Sequence, residues 1–301
     1  MIKSLRKRFI LFSVLVISSI ILIIGLFIFV GPNNELSAPR YIITFSMAIC
    51  MVFIGSWLLS KVTIRPIQGA WQKQLDFAAD ASHELRTPIA VIQTNLELVM
   101  DSPDETVESQ MKWLENIKAE NIRMAKLVED LLTLSRADTN HPTLEKETFM
   151  LDEAVSEALV SFEPAASKKN ISLEVRINNK IAFHGDKKRI KQLVVILVDN
   201  ALKYTDASGT VTLSLTRREK GSELMVADTG HGMEAEHLDK IFDRFYRVTK
   251  TRNLNQDGSG LGLSIAAWIV REHGGTIQVS SKPGVGTTFT VSFLHSSRSP
   301  Y

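Results

Sequence analysis

Two stretches of this chain, residues 9–30 and 41–59, contain no charged residue. As a helix, the first rises about 33 Å, enough for a bilayer core of about 30 Å. The second is nearly as long, and a polar break rich in Gly, Pro and Asn (31–40) separates them. Lys3, Arg6, Lys7 and Arg8 precede the pair, and Lys61 and Arg65 follow it. Positive charge is retained on the cytoplasmic side, so the pattern implies a membrane hairpin with both ends in the cytoplasm and a short loop outside. A cleavable signal peptide is the rival for the first stretch. That stretch is long for such a segment, lacks a small-x-small cleavage site and is followed by a second apolar run. Cys50 lies within the second run and reads as a small apolar side chain.

Charge divides the chain in the same place. The formal net charge of +2 combines seven basic residues against one acid in residues 1–65, a balance of +6, with −4 over the remainder. The longer part is mildly acidic, so a general nucleic-acid-binding surface is not the default reading. One cysteine excludes a disulfide framework or a multi-cysteine zinc site. The ten-residue outer loop is too short to fold as a ligand-binding domain. Any sensing surface would be the membrane segment, that loop or a partner protein.

Beyond Pro66 the period becomes helical. Leu75, Ala78, Ser82, Leu85, Ile89, Ile92, Leu96 and Val99 alternate at spacings of three and four, the seam of a coiled coil or bundle helix. After a turn signal at residues 101–104, Leu114, Ile117, Asn121, Met124, Val128, Leu131 and Ser135 form a second seam, widened by Trp113, Leu127, Leu132 and Leu134. Asn121 is expected to set its register. One hairpin cannot bury both seams, so a homodimeric four-helix bundle is expected. His83 follows the seam residue Ser82 and should face solvent. Glu84 is its neighbour, and Thr87 shares its face. Pro88 removes the amide that would bond to Glu84, so a bend is expected there. An exposed histidine is ordinarily just solvated; the grouping of imidazole, carboxylate and hydroxyl at a helix defect singles this one out.

From about Thr148 strand-like stretches (171–177, 210–216, 223–227, 276–280, 287–293) alternate with helical ones (151–169, 187–202, 264–273), implying a sheet with helices on one face. Asp228-Thr-Gly-His-Gly-Met233 follows a strand, Gly258-Ser-Gly-Leu-Gly-Leu263 precedes a helix, and Gly284-Val-Gly-Thr-Thr-Phe289 opens the last strand. Glycines let backbone amides approach an anion, and a helix N-terminus favours phosphate. Taken singly, each cluster is more readily an ordinary tight turn. No dinucleotide fingerprint or P-loop is present. Asn200 and Lys203 lie one helical turn apart. An amide oxygen suits magnesium and an ammonium suits phosphate, although a polar helix end would look the same.

Together these pieces resemble a sensor histidine kinase of the bacterial two-component systems, of the short intramembrane-sensing type, over residues 66–296. Residues 77–88 resemble the phosphoacceptor box, 199–205 the asparagine box, and the glycine clusters with 241–247 the remaining ATP-site boxes. The resemblance implies two N-terminal transmembrane helices in 1–65, an α-helical hairpin in 66–145 that dimerises to a four-helix bundle, a C-terminal α/β two-layer sandwich ATP-binding domain of the Bergerat (GHKL) type in 146–297, and a tail at 298–301. It implies His83 as phosphoacceptor, Glu84 as general base or orienter, Thr87 as the residue placing a water for regulator dephosphorylation, and Arg86 as a further bundle residue. In the ATP domain it implies Asn200 as Mg²⁺ ligand, Lys203 at phosphate, Tyr204 by the adenine or ribose, and Asp228 on the adenine amino group. Gly230, Gly232, Gly258, Gly260, Leu261, Gly262 and Thr288 would border the nucleotide, under a lid at about 247–258. ATP and Mg²⁺ are the implied cofactors. The implied partners are a second copy, a cognate response regulator, membrane lipid and a membrane accessory protein; the implied location is the bacterial cytoplasmic membrane.

Two features depart from the family pattern. Ile196 stands where a second metal-binding Asn is usual. Only 16 residues separate Pro66 from His83, too few for a full HAMP-type relay. A Bergerat-fold ATPase doing conformational work would explain the glycine boxes but not His83, Glu84 and Thr87. A scaffold or phosphatase-dominant regulator has only Ile196 in its favour.

Overall fold

The structure, a computed structural model, describes residues 65–137, 144–177, 179–219, 221–248 and 258–294, with scattered positions between 16 and 57. The chain forms two compact units, residues 1–79 and 80–301. Of the expected membrane stretches only scattered positions are described, and the outer loop, most of the lid (249–257) and the tail lie outside the described residues. Among the described residues no helix is long and apolar enough to cross a membrane.

The hairpin is helix α1 (Arg65–Met100) followed by α2 (Val107–Ala137), with the turn where the Asp-Ser-Pro-Asp signal places it. Helix α1 continues through Pro88. Within one chain the seams remain open: Leu75, Ile89, Leu96, Val128 and Leu132 are all exposed. Asn121 is exposed within one chain, like the other open seam positions. Asn95, off the seam, is buried, accepts from Asn116 Nδ2 at 3.2 Å and donates to the Val91 carbonyl at 2.7 Å, a polar link across the hairpin.

The second module is a five-stranded sheet covered on one face. In chain order its elements are β1 (Glu147–Met150), α3 (Leu151–Leu159), α4 (Glu163–Lys168), β2 (Ser172–Ile177), β3 (Ala182–Gly185), α5 (Lys187–Tyr204), β4 (Thr210–Arg218), β5 (Gly221–Asp228), α6 (Ala235–Leu238), α7 (Gly262–Glu272), β6 (Thr276–Lys282) and β7 (Gly286–Leu294). The sheet order is β2-β4-β5-β7-β6, with only β2 and β4 parallel; β1 and β3 form a separate pair. That pair was not legible as alternation, because it is only four residues long. The helix expected over 151–169 is two helices. Pro164, in the first turn of α4, has no amide to offer the Val160 carbonyl, so the first helix ends before it.

Helix α5 shows why the layer holds. Ile190, Leu193, Val194, Leu197, Val198 and Ala201 recur at spacings of three and four and are essentially fully buried. The helix packs against α7, where Ile265, Ala266 and Ile269 are buried, and against β4 and β5, where Leu213, Leu224 and Val226 are buried; Phe289 and Val291 of β7 are buried in the same core. Each large side chain contributes about 1.5–3 kcal/mol of transfer free energy. The opposite sheet face carries the alternate, half-buried residues, among them Thr212, Ser214, Thr288 and Thr290. The outcome is a two-layer α/β sandwich in which β5 and α5 both end at one rim.

Candidate functional site

That rim gathers most of the side chains singled out by the sequence. Asp228 is the last residue of β5, paired with Val211 on one side and Thr287 on the other. Its Oδ1 accepts the Gly230 amide at 2.9 Å and the Thr287 amide at 3.2 Å. Burial pushes this carboxyl up; the two amides and the nearby His231 pull it back. A half-buried carboxylate with one oxygen fixed in this way can present the other to a donor.

Helix α5 supplies the next two groups. The amide of Asn200 is half-buried and makes no hydrogen bond among the described residues. One turn on, Lys203 holds its ammonium against Gly258 (a Cβ there would stand 2.5 Å from Nζ) and 5.3 Å from the Tyr204 ring centroid. Asn200, Lys203 and Gly258 therefore share one side of the rim, and Gly258 leads through Gly260 and Leu261 into α7. Gly260 (φ +72°) gives its carbonyl to the Phe245 amide at 3.0 Å, tying the 241–247 segment to this loop. Gly262 starts α7, with Ile196 Cγ2 3.3 Å from where its Cβ would be. Ile196 therefore packs under the second glycine loop and adds no polar ligand.

The three glycine clusters do different work. In the first, a Cβ on Gly230 would stand 2.1 Å from the Tyr204 carbonyl, and one on Gly232 (φ +66°) 2.0 Å from the Lys282 carbonyl. These glycines allow backbone to meet backbone, binding the Asp228 loop to the end of α5 and to the β6–β7 turn. The third cluster is that turn. Only the second lies at Lys203 and at a helix N-terminus, the geometry that suits phosphate. The side chain of Leu261 is fully buried, so only its backbone faces the rim.

Thr288 lies apart from the group. It pairs with Ala227 on the outer face, whereas its neighbour Thr287 is buried on the Asp228 side, donates its amide to that carboxylate and meets Ser281 Oγ at 2.9 Å. The motif names two adjacent threonines; the strand period decides which one faces the site. His231, between the two glycines of the first cluster, was also missed; its neighbours in sequence carried no signal of its contact with the end of α5.

On the hairpin, His83 and Thr87 are exposed on one face of α1, Arg86 is exposed and Glu84 is half-buried. Among the described residues the His83 ring makes no hydrogen bond, so its nitrogens are open to a reactant.

Fold and rim define a two-module chain, an exposed histidine on a helical hairpin followed by an α/β module with a carboxylate, an amide and an ammonium around a glycine loop. Comparisons agree with both modules. Residues 73–140 match the His Kinase A (phospho-acceptor) domain, and residues 185–297 match the histidine kinase-, DNA gyrase B- and HSP90-like ATPase. The sensor histidine kinase RppB of Synechocystis sp. is 32% identical over 250 residues, 83% of this chain and 55% of RppB. The histidine kinase AdeS of Acinetobacter baumannii superposes with a TM-score of 0.57 at 29% identity, over 70% of this chain and 97% of that one. The histidine kinase ThkA, solved with the response regulator protein TrrA, gives 0.62 at 25% identity, over 80% of this chain and 66% of that one. The chain belongs to the sensor histidine kinases of bacterial two-component systems. It spans about half the length of the curated relatives it matches.

Proposed function

We propose that this chain is an ATP-dependent protein-histidine kinase that phosphorylates its own His83 and passes the group to an aspartate of a response regulator. The observation that carries this reading is the pairing of an open, exposed His83 with a rim on which Asp228, Asn200 and Lys203 converge around the second glycine loop. A neutral imidazole is nucleophilic near neutral pH. Glu84, next in sequence, orients the ring or takes its proton. His83 forms a bond to the γ-phosphorus as the bond to the bridging oxygen breaks, and ADP leaves. Asp228 receives the adenine amino group, Tyr204 lies by the base, and Lys203 and the amides at 258–262 hold phosphate. The Asn200 amide, without a hydrogen bond among the described residues, fits a Mg²⁺ ligand, with Ile196 adding none; such an ion would offset charge on the phosphate oxygens. Thr87, on the His83 face, suits placing a water for dephosphorylation of the regulator.

The open seams of α1 and α2 support a homodimeric four-helix bundle. The match to ThkA, solved with a response regulator protein, supports a cognate regulator here. The uncharged stretches 9–30 and 41–59 and their flanking cations support a multi-pass location in a bacterial cytoplasmic membrane, both ends inside, with lipid and a membrane accessory protein as partners.

Incubating the full chain with γ-labelled ATP tests the reading. Acid-labile, alkali-stable label that disappears in His83→Gln is expected. Hydrolysis without labelling would instead indicate an ATPase, and neither activity a scaffold.

A further inference from the structure

His231 stands between the two glycines of the first cluster, and three segments meet at it. Its backbone N–H and its ring Nδ1–H both donate to the Tyr204 carbonyl, at 3.2 and 3.0 Å. Its own carbonyl accepts the Gly284 amide at 2.7 Å, from the β6–β7 turn. Ring Nε2 lies 3.3 Å from Asp206 Oδ2. A carbonyl oxygen can only accept, so Nδ1 carries a proton.

Tyr204 is the last residue of α5, so its carbonyl is one of those a helix leaves without an internal partner. The same helix carries Asn200 and Lys203. Gly230, beside His231, approaches that carbonyl more closely than any side chain would allow. The ring therefore adds a second hydrogen bond where the Asp228 loop meets the helix that bears the other two groups.

We infer that His231 is a positioning residue for base recognition: by clamping the Asp228 loop to the end of α5 it sets the preference for a base that bears an amino group. This rests on the proposed nucleotide role of Asp228.

Equilibrium competition on the full chain in detergent, with ATP and with inosine triphosphate, tests it. The second nucleotide has a carbonyl where adenine has its amino group. The wild type should prefer ATP. In His231→Ala, ATP affinity should fall about fivefold, the scale of one hydrogen bond, while inosine triphosphate stays within about twofold. His231→Asn, whose amide N–H can reach the Tyr204 carbonyl, should restore most of the preference. An equal loss for both nucleotides would mean the ring only supports the fold and would overturn the inference; so would no loss at all. A wild type that binds both alike would overturn the role of Asp228 itself, and the inference with it. Should His231→Ala not fold, Asp206→Asn takes its place. Freeing Nε2 should lower the same ratio about twofold, and an unchanged ratio counts against the inference.

Discussion

At the scale of single residues, His273 shows how a hydrogen-bond pattern fixes a protonation state. Its Nδ1–H donates to the Ile269 carbonyl at 2.7 Å, and its Nε2 accepts the Asp186 amide at 2.9 Å. Both nitrogens are committed only if the ring is neutral. Burial among Phe183, Phe293 and Gly185 lowers its pKa first, and Lys146 adds to that. The Ile269 carbonyl, Asp186 and Glu272 act in the other direction. The unfolded chain therefore takes up a proton at higher pH than the folded one. The contribution to stability is complete above the ordinary value of 6.5 and is lost as pH falls through the folded value. Asp130 works in the opposite sense. Burial pushes its carboxyl up to about 6, so ionisation costs stability and acid relieves it. Comparison with a variant separates the two. His273→Gln should lower Tm at neutral pH, and the gap to wild type should narrow from about pH 7 to about pH 5. A gap that stays constant across that window would show that His273 does not titrate on unfolding.

At the scale of elements, one buried side chain ties the hairpin turn back to the end of α1. The amide of Gln110 is buried and donates to the Ser102 carbonyl at 2.7 Å and the Val99 carbonyl at 3.2 Å, at and just beyond the end of α1. Helix ends leave such carbonyls without internal partners. Gln110→Ala should cost about 1–2 kcal/mol in thermal unfolding of the full chain. Gln110→Glu should cost more at neutral pH, because a carboxylate only accepts and would face two acceptors. Equal, negligible effects would show that water serves those carbonyls as well. Nothing in the local sequence marked Gln110, since its partners lie eight and eleven residues away. The same limit explains which elements could be read. Helix α5 and strands β4, β5 and β7 announce themselves through spacings of 3.6 or two. Strands β1 and β3 are too short to show a period, and Asn95 lies off the seam, so its link to Asn116 on the other helix left no local signal.

At the scale of the whole molecule, the two modules and most of the rim were legible because family motifs and physical periods coincide at Asp228, Asn200, Lys203 and His83. What stayed hidden was what only three dimensions supply: that the first and third glycine clusters bind each other, that Thr287 and not Thr288 faces Asp228, and that Ile196 packs beneath Gly262. One long-range relation follows from continuity alone. Helix α1 runs from Arg65 through His83 to Met100 without a break, and only 16 residues lie between Pro66 and His83. If the preceding stretches are membrane helices, a rotation or shift of the second would reach His83 through a single helix, with no relay between them. A helix advances about 100° per residue, so inserted alanines after Pro66 re-aim everything downstream in steps. One or two insertions should change the basal labelling of His83 from γ-labelled ATP most. Three should leave the phase about 60° short of a full turn, and four about 40° past one, so both should return toward the starting level. The chains must be compared in membranes, at matched abundance. Labelling that is flat across the series, or that only declines as the insertion grows, would mean that helical phase does not carry the signal.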